Sequence, residues 1–197
     1  MKYLLKLIII PIVYIISFAF LTVGIASIDG FTPLVKSIIS ILLVGVFTVV
    51  ISMVMIKEGH DAYGVLLGNN AQRRHIVETG NVVEFDESKE YRPYKGFLAG
   101  LICCIPLIFM VILHLILVPI GNTSEISIIC EMFYGLFFSV VRTYLETDAV
   151  GFFIISGVIL VVLPLITGIP YMFGARRRRL QQENIKKLND ELHGVKR

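Results

Sequence analysis

Three ionisable residues stand in apolar sequence, where charge is scarce: His114, Glu131 and Arg142. A charge at membrane depth is costly and is often retained for a proton relay, an ion pathway or a specific pairing. Glu131 and Arg142 are eleven residues apart. On a helix they differ by about 20° in direction and about 16.5 Å along the axis, too far for a direct salt bridge. Each therefore needs its own partner or access to water. His114 falls near the far end of the preceding apolar run and is the expected partner of Glu131. A carboxylate there would favour the protonated imidazole. The chemistry on offer is a polar contact or pathway.

Two other groups carry charge in a pattern. Arg73, Arg74 and Glu78 cluster in the largest polar segment between apolar runs and read as a contact surface for a protein partner. Arg176, Arg177, Arg178 and Arg179 follow directly on an apolar stretch. Such a run fixes topology and touches anionic lipid head groups.

Catalytic patterns are missing from the sequence. It contains no Walker loop, GxGxxG, GxSxG or HExxH motif, so no catalytic residue is expected and the chain reads as non-enzymatic. His60 beside Asp61, and His75 three residues before Glu78, lack the spacing of metal ligands, so neither a metal nor a cofactor is expected. Cys103, Cys104 and Cys130 sit in apolar sequence and read as small hydrophobes, not disulfide partners. A net charge of +3 makes no case for nucleic acid.

The elements that position these residues follow from composition. The chain has 197 residues, 56% hydrophobic and only 17% charged, and its mean hydropathy is +0.81. Soluble domains are about 45–50% apolar and about 25% charged. A soluble domain, a disordered tail and a disulfide-stapled secreted module are thereby excluded. So is a β-barrel, whose strands alternate in polarity. The fold class is an all-α membrane protein. Spans are expected at 7–28, 34–56, 97–120 and 151–173, each of bilayer-crossing length. A transmembrane domain 1–175 then precedes a basic tail, 176–197. The loop 57–95 has room for one or two short helices within 61–78. Gly96 and Gly100 permit close helix contact, Pro106 predicts a kink, and Glu183 and Lys187 are spaced for an ion pair in a helical tail.

Positive charge sets the expected orientation. With four spans and the N-terminus inside, sixteen Lys and Arg lie inside and two outside. A fifth span at 125–145 would carry the tail and its arginines outside and remove that bias, so that segment is expected not to cross. On a helical projection Ser124, Ser127, Glu131, Gly135, Arg142 and Glu146 share a sector of about 100°, opposite a broad apolar face. This is the pattern of an interfacial helix on the outer side, or of a re-entrant one.

The segments Gly59-His60-Asp61-Ala62-Tyr63, Arg73-Arg74-His75-Ile76-Val77-Glu78-Thr79-Gly80 and Tyr91-Arg92-Pro93-Tyr94-Lys95-Gly96 resemble those of small bacterial membrane proteins without assigned activity. The resemblance implies no activity; hydropathy and charge point to a multi-pass protein of the cell membrane. The expected function is that of a subunit or regulator of a membrane transport or envelope complex, embedded in a bilayer with anionic lipids. The alternative is a small oligomeric transporter or channel using the polar stripe around Glu131 and Arg142.

Overall fold

In lipid an isolated apolar run satisfies its backbone only as a helix. The computed structural model describes residues 2–26, 28, 30, 32–80, 87–117 and 149–192, and no strand occurs among them. Its helices are α1 (Lys2–Ala26), α2 (Pro33–Thr79), α3 (Tyr94–Cys103), α4 (Ile105–Leu117) and α5 (Ala149–Leu192), with a 3-10 turn at Glu87–Lys89. Four stretches, Tyr3–Thr22, Leu34–Thr79, Tyr94–Leu113 and Phe153–Leu192, are long and apolar enough to cross a membrane. The all-α membrane class expected from composition is therefore observed. The helix expected at 125–145 lies outside the described residues.

α2 is longer than the span the sequence predicts. Thr32 caps its start, the hydroxyl accepting from the Val35 N–H at 3.4 Å, and Pro33 occupies the first turn. The helix then runs 47 residues without a break. It stops at Gly80, which adopts the left-handed conformation (φ 72°) and donates its N–H to the Ile76 carbonyl at 2.8 Å. The segment after residue 56, read as a loop with short helices, thus opens as a direct continuation of the span.

The third span divides at Cys104. Pro106 has no N–H to give, so the ladder breaks just before it. Cys104 N–H bonds back to the Gly100 and Leu101 carbonyls at 3.2 and 3.0 Å, and Ile108 resumes the ladder on Cys104. α5 passes through both Pro164 and Pro170 in a single 44-residue helix. The Thr167 hydroxyl donates to the Leu163 and Pro164 carbonyls there. The described part of the basic tail, to Leu192, belongs to this helix. Within it Glu183 pairs with Arg179 at 2.9 Å, where the spacing had suggested Lys187.

α1 runs antiparallel to α2, as Phe18 against Phe47 (5.6 Å, edge-on) and Lys6 against Glu58 require. α3 runs antiparallel to α5, since Gly96 meets Tyr171 and Gly100 meets Pro164. α2 and α5 are parallel and touch backbone to backbone. A Cβ at Gly59 would strike the Tyr171 carbonyl, and one at Gly174 the Ile56 carbonyl. The Gly96–Gly100 pair lies at a real close contact, but the tighter crossing uses Gly59 and Gly174.

Leu7, Phe47, Ile51, Met55, Leu107, Ile159 and Leu163 form the core. Leu42, Met53, Phe109, Phe153, Val161 and Phe173 line the outside or its margins, five of them more than half exposed. A helix apolar all round suits a hydrocarbon solvent. The end of α4 and the start of α5 lie at the same end of the bundle, away from the charged end.

Candidate functional site

The charged residues gather where α1 and α3 begin and where α2 and α5 leave the apolar bundle. Two buried carboxylates organise this end. Glu58, its side chain 8% exposed, accepts from Lys6 Nζ at 2.6 Å. Its backbone carbonyl accepts from the Tyr3 hydroxyl at 3.0 Å. Helical periodicity puts these groups together: Tyr3 and Lys6 are three apart, on one face of α1.

Glu90 is the second carboxylate, 6% exposed. It accepts from Arg73 Nη2 at 2.6 Å and from Asn69 Nδ2 at 2.8 Å. Asn69 and Arg73 are four apart on α2, so both reach the same oxygen from one helix face. Arg73 also contacts Glu87 at 3.3 Å and Asn70 Oδ1 at 3.1 Å.

Lys95 closes the arrangement. Its ammonium donates to the Ser88 and Glu90 carbonyls at 2.8 and 2.7 Å and lies 5.7 Å from the Tyr3 ring centroid, a cation–π distance. The Tyr91 N–H donates to the Ala62 carbonyl at 3.1 Å. The Tyr91 ring stacks on Tyr171 at 5.5 Å and meets the edge of Tyr63 at 5.8 Å. Burial, and secondarily Tyr63, push the Tyr91 phenol above its ordinary value, so it stays neutral. Residues 87–95 therefore form a clasp that ties α3 to the protruding half of α2.

Each buried acid in this clasp has a basic partner, and each basic partner is held by geometry. Such an arrangement fixes helix positions. Among the described residues no group of three or more His, Cys, Asp or Glu is placed to hold a metal. His60 contacts Asp61 at 3.4 Å and Gln181 of α5 at 3.1 Å, and so bridges the two protruding helices.

The structure distributes the sequence candidates unevenly. Arg73 turns inward to Glu90, whereas Arg74 and Glu78 are exposed. Arg73 thus belongs to the clasp, with its side chain 39% exposed. Of the four arginines, Arg176 and Arg179 border a cavity with Tyr63 and Tyr91. Arg178 lies 3.9 Å from the Gly64 Cβ position, with its Nε buried and without a hydrogen-bond partner among the described residues. Arg177 is exposed. Glu131 and Arg142 lie outside the described residues, so the expected His114–Glu131 contact and the polar stripe do too.

Glu58, Asn69, Glu90 and Lys95 carry the clasp and were not singled out from sequence. Glu90 ends an acid-rich stretch in which no member stands out. Tyr91 is half-buried between Tyr63 and Tyr171, while Tyr94 is exposed. The i,i+4 pair Asn69 and Arg73, with an acid some twenty residues further along the chain, was the available signal. No protein-family model, curated relative or solved structure matches this chain, so geometry carries the functional reading.

Proposed function

We propose that this chain is a non-enzymatic multi-pass membrane protein, a subunit or regulator of a membrane-embedded complex, with both termini on the cytoplasmic side of a cell membrane. One observation carries the proposal: α2 and α5 continue past the apolar bundle as parallel, mutually packed helices braced by the clasp. At about 1.5 Å per residue, the part of α2 beyond Lys57 projects roughly 33 Å. A braced projection of this kind suits the positioning of another protein.

Its exposed face includes Arg74, Val77 and Glu78 on α2, and Val77 is 86% exposed. The bias of positive charge toward this end supports a cytoplasmic placement. Cross-linked pull-down from native membranes tests the proposal. A stoichiometric partner is expected with the wild type and is lost in Arg74→Glu/Glu78→Lys at unchanged membrane abundance. Absence of a stoichiometric partner, or its retention by the double variant, would overturn it.

A further inference from the structure

A cavity of about 410 Å³ opens beside the clasp, lined by Tyr63, Tyr91, Ile169, Met172, Phe173, Ala175, Arg176 and Arg179. That volume is within the range of small-ligand sites, roughly 300–1,000 Å³. Its lining is divided along the α5 axis. Ile169, Met172 and Phe173 are exposed apolar side chains, and Arg176 and Arg179 follow on the same helix face at positions i+3 or i+4 and beyond. The apolar half adjoins the membrane-crossing stretch of α5, and the cationic half lies where α5 leaves it.

The two arginines differ from their neighbours. Arg178 packs toward Gly64 of α2, and Arg177 does not line the cavity. Arg179 gives its Nε–H to Glu183, which leaves the other guanidinium N–H groups of its five available. Tyr63 and Tyr91 line the cavity beside the arginines and supply amphipathic rings there. A soluble anion would need only the cationic half. An amphiphile with a negative head and an apolar chain matches both halves.

We propose that this groove holds one anionic phospholipid, its phosphodiester between Arg176 and Arg179 and an acyl chain along Ile169, Met172 and Phe173. This requires the membrane-spanning character of the bundle but not the partner surface at Arg74 and Glu78.

Native mass spectrometry of the full chain in neutral detergent tests it, with equimolar dioleoyl phosphatidylglycerol and dioleoyl phosphatidylcholine. Two arginines near an anionic head group imply a preference of roughly tenfold to thirtyfold for phosphatidylglycerol, with one lipid retained. Arg176→Gln/Arg179→Gln should bring the two lipids to parity, and Arg177→Gln should keep the preference. Millimolar glycerol phosphate should not displace the lipid. Equal retention of both lipids by the wild type would overturn the proposal without any variant. So would a preference that survives the double variant or is lost equally in Arg177→Gln. Displacement by glycerol phosphate would assign the site to a soluble phosphate instead. Pull-down of a partner is scored separately, so either conclusion can fail alone.

Discussion

Arg73 Nη2 and the buried carboxylate of Glu90 lie 2.6 Å apart and tie α2 to the residues that lead into α3. The Glu90 side chain is 6% exposed, and Arg73 is the basic side chain that meets its carboxylate among the contacts described above. Hydrogen bonds to charged groups contribute about 1.5–3 kcal/mol, and a buried acid without a partner costs at least as much. Arg73→Ala should therefore lower the thermal stability of the purified protein clearly, while Arg74→Ala, one residue along, should change it by no more than about 0.5 kcal/mol. Arg73→Ala and Glu90→Ala together should cost less than the sum of the two. Simple additivity would show that the two side chains do not act as a pair.

Lys6 and Glu58 predict an asymmetry. The Lys6 side chain is 56% exposed and that of Glu58 is 8% exposed. Removing Glu58's charge leaves an ammonium that can turn to water. Removing Lys6 leaves a buried carboxylate uncompensated. Lys6→Ala should thus destabilise more than Glu58→Gln, although Lys6 is the more exposed residue. Small and equal shifts in the melting curves of the two variants in one detergent would show instead that the pair is a solvated surface contact.

The backbone crossing of α2 and α5 gives a steric prediction. Gly174→Ala places a methyl group against the Ile56 carbonyl, and a main-chain atom cannot swing aside. Gly157→Ala on the same helix meets nothing within 4 Å. The first should separate the helices and abolish monodisperse protein, and the second should be neutral. Size-exclusion profiles of the two variants decide it.

Orientation calls for probes at exposed sites. Glu90 is buried, so a cysteine there would escape an impermeant reagent on either side of a membrane. Cysteines at Glu78 and Lys187, both exposed, are informative in a background with Cys103, Cys104 and Cys130 replaced by alanine. Both should remain unlabelled in intact cells and become labelled after permeabilisation. Labelling of either in intact cells contradicts the cytoplasmic placement.

The spans were legible because a bilayer imposes a length and a composition that few other environments require. The reach of α2 was not. Gly59, Gly64 and Gly68 lie in its protruding half, and glycine weakens an isolated helix by about 1 kcal/mol relative to alanine. Local propensity alone therefore argues against a continuous helix there. In the structure Gly59 is a point of contact with Tyr171 and Gly64 faces Arg178. Tertiary packing outweighs local propensity here, and that packing involves residues more than a hundred positions away. The clasp was hidden for a related reason. The burial that distinguishes Glu90 from Glu87 comes from α2, and nothing in the acid-rich stretch encodes it.

The unbroken ladder of α2 also sets a rule for length. Loops absorb an added or missing residue, but a helix turns by about 100° for each one. An insertion between Gly59 and Asn69 would leave the crossing with α5 in place and rotate Asn69 and Arg73 away from Glu90. A lineage carrying this architecture can exchange the exposed residues of that segment freely, yet it must hold their number constant. Single-residue insertions there should be as damaging as loss of the Glu90 carboxylate itself.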